Sequence, residues 1–394
     1  MDAIDILLTR GVDTIYPTKD ALEKVLRSGK KLTLYQGFDP TGTQLHIGHA
    51  VGFRKLRQWQ DLGHHVIFLI GDGTGLAGDP SGKMKARGRF MDRQELRNNA
   101  VSYLKQASKI VRFDGENPIE IRYNGDWLTK LALEDILNIA QNFTVQQMIE
   151  RDMYQVRIKA GDPINLREFL YPLLQGYDSV AMNVDLELGG TDQTFNMLAG
   201  RTLVKAMQGR EKFVMTVPLL EDSKGVKIGK TEGNVIGLTD APVEFYAKIM
   251  SLGDDAIIPC FTLLTDIPTE KIEEKMKQGE NPMLFKKQLA LELTKMLHDE
   301  TSAKKAQEEF ETVHQKGESI SVTAPVFETQ QINWNIIDLL VATNQVASKS
   351  EARRLIEQKA IEIHNTQCTM TNVELNDGDI IKIGKKKFVK IHII

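Results

Sequence analysis

In the first half of the chain, short apolar runs alternate with longer amphipathic stretches. This alternation is typical of βα units arranged around a parallel sheet. It predicts strands at residues 32–37, 66–71, 119–123, 184–188 and 213–217, and helices at 47–62, 92–111 and about 192–207. We therefore expect an α/β domain whose sheet is mainly parallel.

The pattern changes after about residue 220. Residues 240–316 are predicted to be mostly helical, and residues 317–331, rich in Ser, Thr, Pro and Gln, are predicted to form a linker. The remaining residues predict a separate small module with a helix at 335–343 and a second helix that opens with a capping box at Ser348. A strand in AIEIHN and a hairpin in DIIKIGKKKFVKIHI complete this module.

Basic residues stand out in this last module. Arg353 and Arg354 lie on its second helix, and Lys385, Lys386 and Lys387 lie at the hairpin turn. From residue 330 onward there are nine Lys or Arg and seven Asp or Glu. From charge alone, these residues could form either a solvated hairpin turn or an RNA-binding surface.

The bulk composition excludes several classes of protein. At 394 residues the chain can form two or three domains, and it has neither an apolar run long enough for a membrane span nor the pattern of a signal peptide. Cys260 and Cys368 stand alone, so neither a disulfide framework nor a structural zinc site is expected. A net charge of −3 argues against nonspecific coating of nucleic acid. We expect a cytoplasmic protein.

The first candidate site is the string GFDPTGTQLHIGH after the first strand. His46 and His49 are three residues apart at a predicted helix start, where the helix dipole and unpaired N–H groups favour phosphate. Gly48 between them would let a flat base approach the backbone. Isolated histidines are usually plain surface residues, and a zinc pair would need a third ligand that the spacing does not offer.

Two further segments carry candidate ligand-binding residues. GDGTGLAGDPSGK follows the second strand and contains Asp79 and Lys83, but it fits neither the GxGxxG nor the P-loop pattern. Tyr171, Gln175 and Asp178 in LYPLLQGYD recur at helical spacing and would share one face. Such buried polar groups need partners, supplied either by a ligand or by a structural hydrogen-bond network.

The last two segments suggest contacts with a nucleotide. LELGGTDQ places Asp192 at the carboxyl end of a predicted strand, where open α/β sheets bind ligands and a carboxylate can accept from ribose hydroxyls. KIGKTEGN carries Lys227 and Lys230 in a loop of low apolar content. These lysines could clamp a polyphosphate, although a solvated loop is the default reading of such a pair.

Taken in order, these segments resemble the class I aminoacyl-tRNA synthetases, and closely the bacterial enzymes for tyrosine. HIGH is intact at residues 46–49, and KIGKT is similar to the KMSKS loop of that family. GDPSGK, YPLLQGYD and GGTDQ are typical of its tyrosine members. The resemblance implies activation of tyrosine with ATP, release of pyrophosphate, and transfer of tyrosine to its tRNA.

The resemblance also implies roles for individual residues. Tyr35 and Asp178 would bind the phenolic hydroxyl of tyrosine. The other predicted tyrosine-binding residues are Asp79, Tyr171 and Gln175 at the ammonium group, Asn124 at the pocket rim, and Gln193 near the carboxylate. The predicted ATP-binding residues are Gly37, Asp39, Gly48, Gly190, Asp192 and Lys230, and the predicted catalytic residues are Thr41, His46, His49, Lys83, Arg87, Lys227 and, again, Lys230.

Two motifs depart from the family pattern. Thr194 and Phe195 stand where many members have Trp and Gly after GGSDQ, and Gly229 and Thr231 replace the serines of KMSKS. The roles of these residues do not follow from the resemblance.

The resemblance extends to domains and partners. It implies a Rossmann-like catalytic domain with a dimerisation insertion at 1–220, a mobile lysine loop and helical anticodon-binding domain at 221–320, and a C-terminal αL RNA-binding domain at 330–394. The implied partners are tRNA and a second copy of the chain. Mg²⁺ would accompany ATP, which is a substrate.

Three alternatives remain to be weighed. A tryptophan enzyme would share the fold, but Tyr35 and Asp178 suit a hydroxyl better than an indole. A non-catalytic RNA-binding descendant would have lost catalytic positions that this chain keeps. A metal hydrolase using His46 and His49 lacks further ligands.

Overall fold

The computed structural model describes the chain at residues 2–81, 89–222, 225–228, 235–315, 326–343, 345–346, 348–358, 360–363, 366–368, 372–384 and 387–393. The chain forms two compact units, Met1–Gln307 and Glu308–Ile394.

A six-stranded sheet organises the first unit. Its strands are β1 (Thr14–Tyr16), β2 (Thr33–Phe38), β3 (His65–Ile70), β4 (Glu120–Tyr123), β5 (Leu186–Gly190) and β6 (Phe213–Val217). The spatial order is β1-β6-β5-β2-β3-β4, and every pairing is parallel except that of β1 with β6. The chain order therefore reverses between β2 and β5, the kind of switch point at which open α/β sheets bind ligands.

Helices connect these strands. They are α1 (Ala3–Thr9), α2 (Lys19–Arg27), α3 (Ile47–Asp61), α4 (Thr74–Ala77), α5 (Arg93–Ala107), α6 (Gly125–Leu128), α7 (Leu133–Ala140), α8 (Val145–Ile149), α9 (Asp152–Ala160), α10 (Leu166–Ala181) and α11 (Thr194–Gln208). All five predicted strands and all three predicted helices of this half are present, with bounds that shift by a few residues. A short 3₁₀ turn, Thr191–Gln193, precedes α11, so the helix begins two residues later than predicted.

The central strands lie in the core. In β3, residues 66–70 are all buried, because helices cover both faces of a parallel sheet. In β2, Leu34 and Tyr35 are fully buried next to Leu186 and Ile67 of the neighbouring strands. This packing fixes where β2 and β5 end, and hence where their terminal loops meet.

Helix α10 contains a proline in its interior, and the fold compensates for it. Pro172 has no N–H to donate to the carbonyl oxygen of Glu168, four residues earlier. The hydroxyl of Tyr154 on α9 donates to that oxygen instead, at 3.1 Å. The helix therefore stays continuous and carries Tyr171, Gln175 and Asp178 along one side, as the spacing predicted.

The region after residue 240 is helical, as predicted. Its helices are α12 (Pro242–Met250), α13 (Ile257–Leu264), α14 (Glu270–Lys277), α15 (Pro282–Leu297) and α16 (Glu300–Gln315). Phe245, Phe261 and Leu289 are buried within this group.

The second unit has its own core and two sheets. A five-stranded sheet has the order β10-β9-β12-β13-β7, and β11 pairs with β8. The strands are β7 (Val326–Thr329), β8 (Asn333–Asn335), β9 (Ile361–Ile363), β10 (Thr366–Gln367), β11 (Asn372–Glu374), β12 (Ile380–Ile383) and β13 (Lys387–Ile393). Helices α17 (Ile336–Ala342) and α18 (Lys349–Glu357) contribute Leu339 and Ala352 to one apolar cluster with Ile381 and Ile391 of the sheet.

Most sequence predictions for this unit are confirmed, and one is wrong. Ser348 caps α18 by accepting from the backbone N–H of Glu351, and β12 and β13 form the predicted hairpin. The predicted linker, however, contains β7, which pairs in parallel with β13. A four-residue strand gives little sequence signal of its own, and its partner lies some sixty residues away. Within the described part of the chain, no helix is long and apolar enough to cross a membrane.

Candidate active site

A cleft of about 410 Å³ opens where β2 and β5 end. It collects every predicted tyrosine-, ATP- or pyrophosphate-binding residue that the structure describes: Tyr35, Gly37, Asp39, Thr41, His46, Gly48, His49, Asp79, Asn124, Tyr171, Gln175, Asp178, Gly190, Asp192, Gln193 and Lys227. Lys83, Arg87 and Lys230 lie outside the described residues. Residues far apart in sequence therefore meet because the switch point brings their loops together.

Asp178 lies at the closed end of the cleft and is almost fully buried. Its two carboxylate oxygens accept hydrogen bonds from Asn124 Nδ2 at 3.0 Å and from Trp127 Nε1 at 2.8 Å. Burial raises the pKa of Asp178 well above its usual value, while these two donors act to lower it. The arrangement leaves a hydrogen-bond acceptor facing the cleft.

Asn124 is buried behind Asp178, with 1% of its surface exposed, and does not lie at the rim where the sequence placed it. Its Oδ1 accepts from the backbone N–H groups of Gly73 and Thr74, and its Nδ2 also donates to Thr74 Oγ1. Because both ends of the amide are engaged, its NH₂ group is fixed toward Asp178. Its position therefore suits orientation of Asp178.

Tyr35 and Gln175 form another wall of this end. Tyr35 is fully buried, and its hydroxyl lies 3.0 Å from Ser179 Oγ. Burial raises the pKa of Tyr35 well above its usual value, so the phenol stays protonated. Gln175 donates from Nε2 to Glu187 Oε1 at 3.0 Å, and its own Oε1 is buried without a protein partner.

Asp79 and Gln193 are joined across the middle of the cleft. Gln193 Nε2 donates to Asp79 Oδ2 at 3.0 Å, and Asp79 Oδ1 accepts from the backbone N–H of Ser81 at 2.9 Å. Gln193 Oε1 accepts from Asn196 Nδ2 at 2.8 Å. A carboxylate and an oriented amide are thus held close together.

The two histidines also line the cleft. His46 is the N-cap residue of α3 rather than part of the helix, and the backbone N–H of Gly48 donates to its Nδ1 at 3.2 Å. The ring proton of neutral His46 is therefore on Nε2. The rings of His46 and His49 are 4.1 Å apart between centroids, so the predicted shared face is present.

Backbone hydrogen bonds hold the described residues next to Lys227 and those at 236–238. Ile228, the residue after Lys227, donates from its backbone N–H to the Leu220 carbonyl, and further along, the backbones of 236–238 and 45–47 exchange two hydrogen bonds of 2.9 Å. Lys227 Nζ lies 3.6 Å from a carboxylate oxygen of Asp192. Lys227 is therefore held beside Asp192, and residues 236–238 pair with the backbone at the start of α3.

Several residues of this site were not predicted. Trp127 and Ser81 support Asp178 and Asp79 by direct hydrogen bonds, and Arg151 donates to Ser81 Oγ at 3.2 Å. The Arg151 guanidinium also lies 4.5 Å from the ring centroid of Phe195, which gives that departure from the family pattern a contact in this fold. Trp127 lies in YNGDW, next to a predicted residue, whereas Arg151 has no local sequence signal.

Among the described residues, no group of three or more His, Cys, Asp or Glu side chains could hold a metal ion.

Thr194, which also departs from the family pattern, donates from its hydroxyl to the Thr191 carbonyl at 2.7 Å, next to the 3₁₀ turn.

Comparison with known proteins identifies the family. Residues 27–315 match the family described as "tRNA synthetases class I (W and Y)", and residues 318–391 match the "Tyrosine--tRNA ligase SYY-like C-terminal domain". Two relatives named tyrosine–tRNA ligase are 42% and 43% identical, from Dehalococcoides mccartyi and Thermotoga maritima. The first alignment covers 98% of each chain, and the second covers 98% of this chain and 96% of the relative. The chain belongs to the tyrosine–tRNA ligase family.

Solved structures share the fold of this tyrosine–tRNA ligase family member. A truncated mitochondrial tyrosyl-tRNA synthetase from Aspergillus nidulans superposes with a TM-score of 0.66 at 24% identity, over 79% of this chain and 94% of that one. A tyrosyl-tRNA synthetase from Archaeoglobus fulgidus, complexed with L-tyrosine, gives a TM-score of 0.61 at 21% identity, over 78% and 100%. The predicted Rossmann-like class I fold is confirmed.

The activity follows from the family. The enzyme is a ligase that activates tyrosine with ATP and transfers it to tRNA during protein synthesis. Neither the tryptophan enzyme nor the non-catalytic RNA-binding descendant is favoured by these comparisons.

Proposed function

We propose that the closed end of the cleft binds the tyrosine side chain and that Asp178 and Tyr35 contact its phenolic hydroxyl. The observation that carries this assignment is the acceptor geometry of Asp178, whose oxygens are held by Asn124 and Trp127. A phenol can donate to that carboxylate, whereas phenylalanine cannot and would leave it unpaired. Asp79, Tyr171 and Gln175 supply the acceptors for the tyrosine ammonium group.

The other end of the cleft is the proposed ATP site. Gly37, Asp39, Gly48, Gly190 and Asp192 line the side for the nucleoside, and Thr41, His46 and His49 line the side for the phosphates. The start of α3 favours negative charge through its dipole and N–H groups. Lys83, Arg87, Lys227 and Lys230 are the proposed partners of the leaving pyrophosphate.

The proposed chemistry is an in-line displacement. A carboxylate oxygen of tyrosine attacks the α-phosphorus, the new O–P bond forms, and the bond between the α-phosphorus and the bridging oxygen breaks. Pyrophosphate leaves with the electron pair, so no covalent enzyme intermediate is required. Gln193 holds the carboxylate in position, and cationic or N–H donors stabilise the growing charge on the phosphates.

Mg²⁺ is proposed to enter with ATP. This ion keeps several waters and binds mainly through substrate phosphates, so it needs few protein ligands. Asp39 and Asp192 are the carboxylates in the ATP half of the cleft that could join its shell. The ion would supply charge neutralisation on the phosphates.

Substitution of His46 by asparagine tests this division of the cleft. We expect kcat for tyrosine-dependent pyrophosphate exchange to fall about 100-fold, because one donor to the developing phosphate charge is lost. KM for tyrosine should stay within about twofold, since His46 belongs to the proposed ATP site and not to the tyrosine pocket. His65→Asn is the matched control, because His65 is exposed at the start of β3 and pairs with Glu120. A raised tyrosine KM with unchanged kcat would contradict the assignment.

The C-terminal unit is proposed to bind tRNA. Arg353 and Arg354 are exposed on α18 and are suited to phosphate contacts. Lys385 and Lys386 lie outside the described residues, and for Lys387 only the backbone is described. The helices at 240–315 are the proposed anticodon-binding region, and the cytoplasm is the proposed compartment because tRNA charging occurs where translation does.

A homodimer is proposed from exposed apolar surface. Of sixteen exposed large apolar side chains in the described residues, eight lie within residues 133–170. They are Leu133, Ile136, Leu137, Val145, Val156, Ile158, Leu166 and Leu170. Helices α7, α8 and α10, which carry six of them, also share a buried cluster that contains Ile139, Met148 and Leu173. Such a concentration is typical of an interface rather than of free surface.

Charge placed on this surface should separate the subunits. We expect Leu133→Asp with Leu137→Asp to shift the protein from dimer to monomer in sedimentation equilibrium, because two charges would be buried. Val101→Asp is the control, since Val101 is 67% exposed on α5, outside residues 133–170. A wild-type protein that sediments as a monomer at micromolar concentration would refute the dimer.

A further inference from the structure

A buried ion pair lies directly behind the amino-acid end of the cleft. Lys212 immediately precedes β6, Glu187 lies in β5, and their side chains are 0% and 2% exposed. The Lys212 ammonium donates to Glu187 Oε2 and, at 2.7 Å, to Ser179 Oγ on α10. Glu187 lines the cleft, whereas Lys212 does not. A charged pair in such a place costs desolvation energy, so its role calls for an explanation beyond stability.

The pair determines which way the Gln175 amide points. A glutamate carboxylate paired with an ammonium can only accept hydrogen bonds, so the Gln175 group that faces Glu187 Oε1 must be the NH₂. The carbonyl Oε1 of Gln175 is therefore the end left over, and it is buried without a protein partner. An acceptor oriented in this way suits an ammonium ligand, because every hydrogen of the ammonium group is a donor.

The same logic fixes the direction of the hydrogen bond from Tyr35. Lys212 can only donate, so Ser179 Oγ accepts from it, and the Ser179 proton points to Glu187 Oε2 at 3.3 Å. With the Ser179 proton on Glu187, Tyr35 donates to Ser179 Oγ at 3.0 Å in preference to the Gln175 carbonyl, which lies at 3.5 Å. The lone pairs of the Tyr35 oxygen remain for a donor in the cleft, such as a phenolic hydroxyl.

The neighbouring helix leaves room for this arrangement at one glycine. A Cβ at Gly200 on α11 would lie 2.5 Å from Lys212 Nζ and 2.9 Å from Ser179 Oγ. Any other residue would displace the ammonium. The network thus depends on the backbone packing of α11 as well as on the paired charges.

We propose that Lys212 and Glu187 are positioning residues that set the hydrogen-bond polarity of the tyrosine pocket by orienting Gln175 and Tyr35. The inference rests on the proposed roles of Gln175 and Tyr35. A neutral partner at position 187 could accept or donate, and the Gln175 amide could then turn its NH₂ group toward the substrate ammonium. The ion pair removes that alternative, which is the specificity role that some buried polar groups have.

The test is the ratio of the two substrate KM values in pyrophosphate exchange. In full-length Lys212→Met, Glu187 is left buried without its ammonium partner, so the ion pair no longer holds it as an acceptor for the Gln175 NH₂ group. We expect KM for tyrosine to rise about 10- to 100-fold, as for loss of a hydrogen bond to a charged group, and KM for ATP to change less than about twofold. A purely structural role would lower stability without separating the two constants.

A double-mutant cycle with Gln175→Leu tests whether Lys212 affects tyrosine binding through Gln175. If Lys212 acts largely through Gln175, Lys212→Met should raise the tyrosine KM less in the Gln175→Leu background than in wild type, and full additivity would overturn the proposal. Should Lys212→Met fail to fold, the apolar pair Glu187→Leu with Lys212→Met keeps the volume without an unpaired charge. A wild-type tyrosine KM in that folded double variant would also overturn it. An unchanged KM in Gln175→Leu alone would instead refute the pocket assignment itself.

Discussion

Replacing Asp178 with asparagine is expected to lower kcat/KM for tyrosine about 100-fold in pyrophosphate exchange. The carboxylate accepts from Asn124 and Trp127 and still has lone pairs for a phenol. An asparagine NH₂ group would face one of these two donors, so a hydrogen bond to the substrate and one to the protein are both weakened. Loss of a hydrogen bond to a charged group costs about 1.5–3 kcal/mol, and about 2.8 kcal/mol corresponds to a factor of 100.

Selectivity provides the sharper readout for this variant. The ratio of kcat/KM for tyrosine to that for phenylalanine should fall with Asp178→Asn, while KM for ATP stays within about twofold. Asp185→Asn is the matched control, because Asp185 accepts from the backbone N–H of Thr33 at the opposite end of the same strands. An unchanged preference for tyrosine over phenylalanine would remove Asp178 from the pocket.

Ending the chain at Gln315 is expected to preserve adenylate formation but to reduce aminoacylation of tRNA at least 100-fold. The residues removed include all strands of the second unit and the apolar cluster around Leu339, whereas the cleft lies entirely within Met1–Gln307. The large loss follows if the second unit supplies several phosphate contacts, because each such contact strengthens the complex at physiological salt. Pyrophosphate exchange and charging should be measured on the same preparation.

Point substitutions test the same claim without truncation. Arg353→Gln with Arg354→Gln in the full chain should weaken tRNA binding and reduce the dependence of affinity on salt, as expected when phosphate contacts are lost. Lys19→Gln with Lys24→Gln removes two exposed charges from α2 and serves as the control. Full tRNA charging by the truncated protein would show that the second unit is not needed for tRNA binding.

The parallel sheet and its connecting helices were predictable because the signals are local. The buried runs of β3, β5 and β6 are continuous in sequence, and the helices that connect the strands have clear periodicity. The strands β1 and β7 were not predicted. Each is only three or four residues long and is stabilised by a partner far along the chain, β6 and β13 respectively.

The cleft residues were predictable for a different reason. HIGH, GDPSGK and GGTDQ carry their chemistry in short strings, whereas Lys212, Glu187 and Arg151 are recognisable only through their partners in space. Asn124 illustrates the limit: its motif indicated the right pocket, but its depth depends on Gly73 and Thr74, which follow another strand. Residues predicted to contact the ligand lie in recognisable sequence motifs more often than the residues that position their side chains.

The most direct test of the account is pyrophosphate exchange into ATP, measured without tRNA for each of the twenty amino acids. The cleft predicts exchange with tyrosine and no comparable rate with phenylalanine or tryptophan, since only tyrosine satisfies Asp178 and Tyr35. Exchange with tryptophan or with several amino acids would contradict the pocket assignment, and absence of exchange with all twenty from folded protein would contradict the catalytic account.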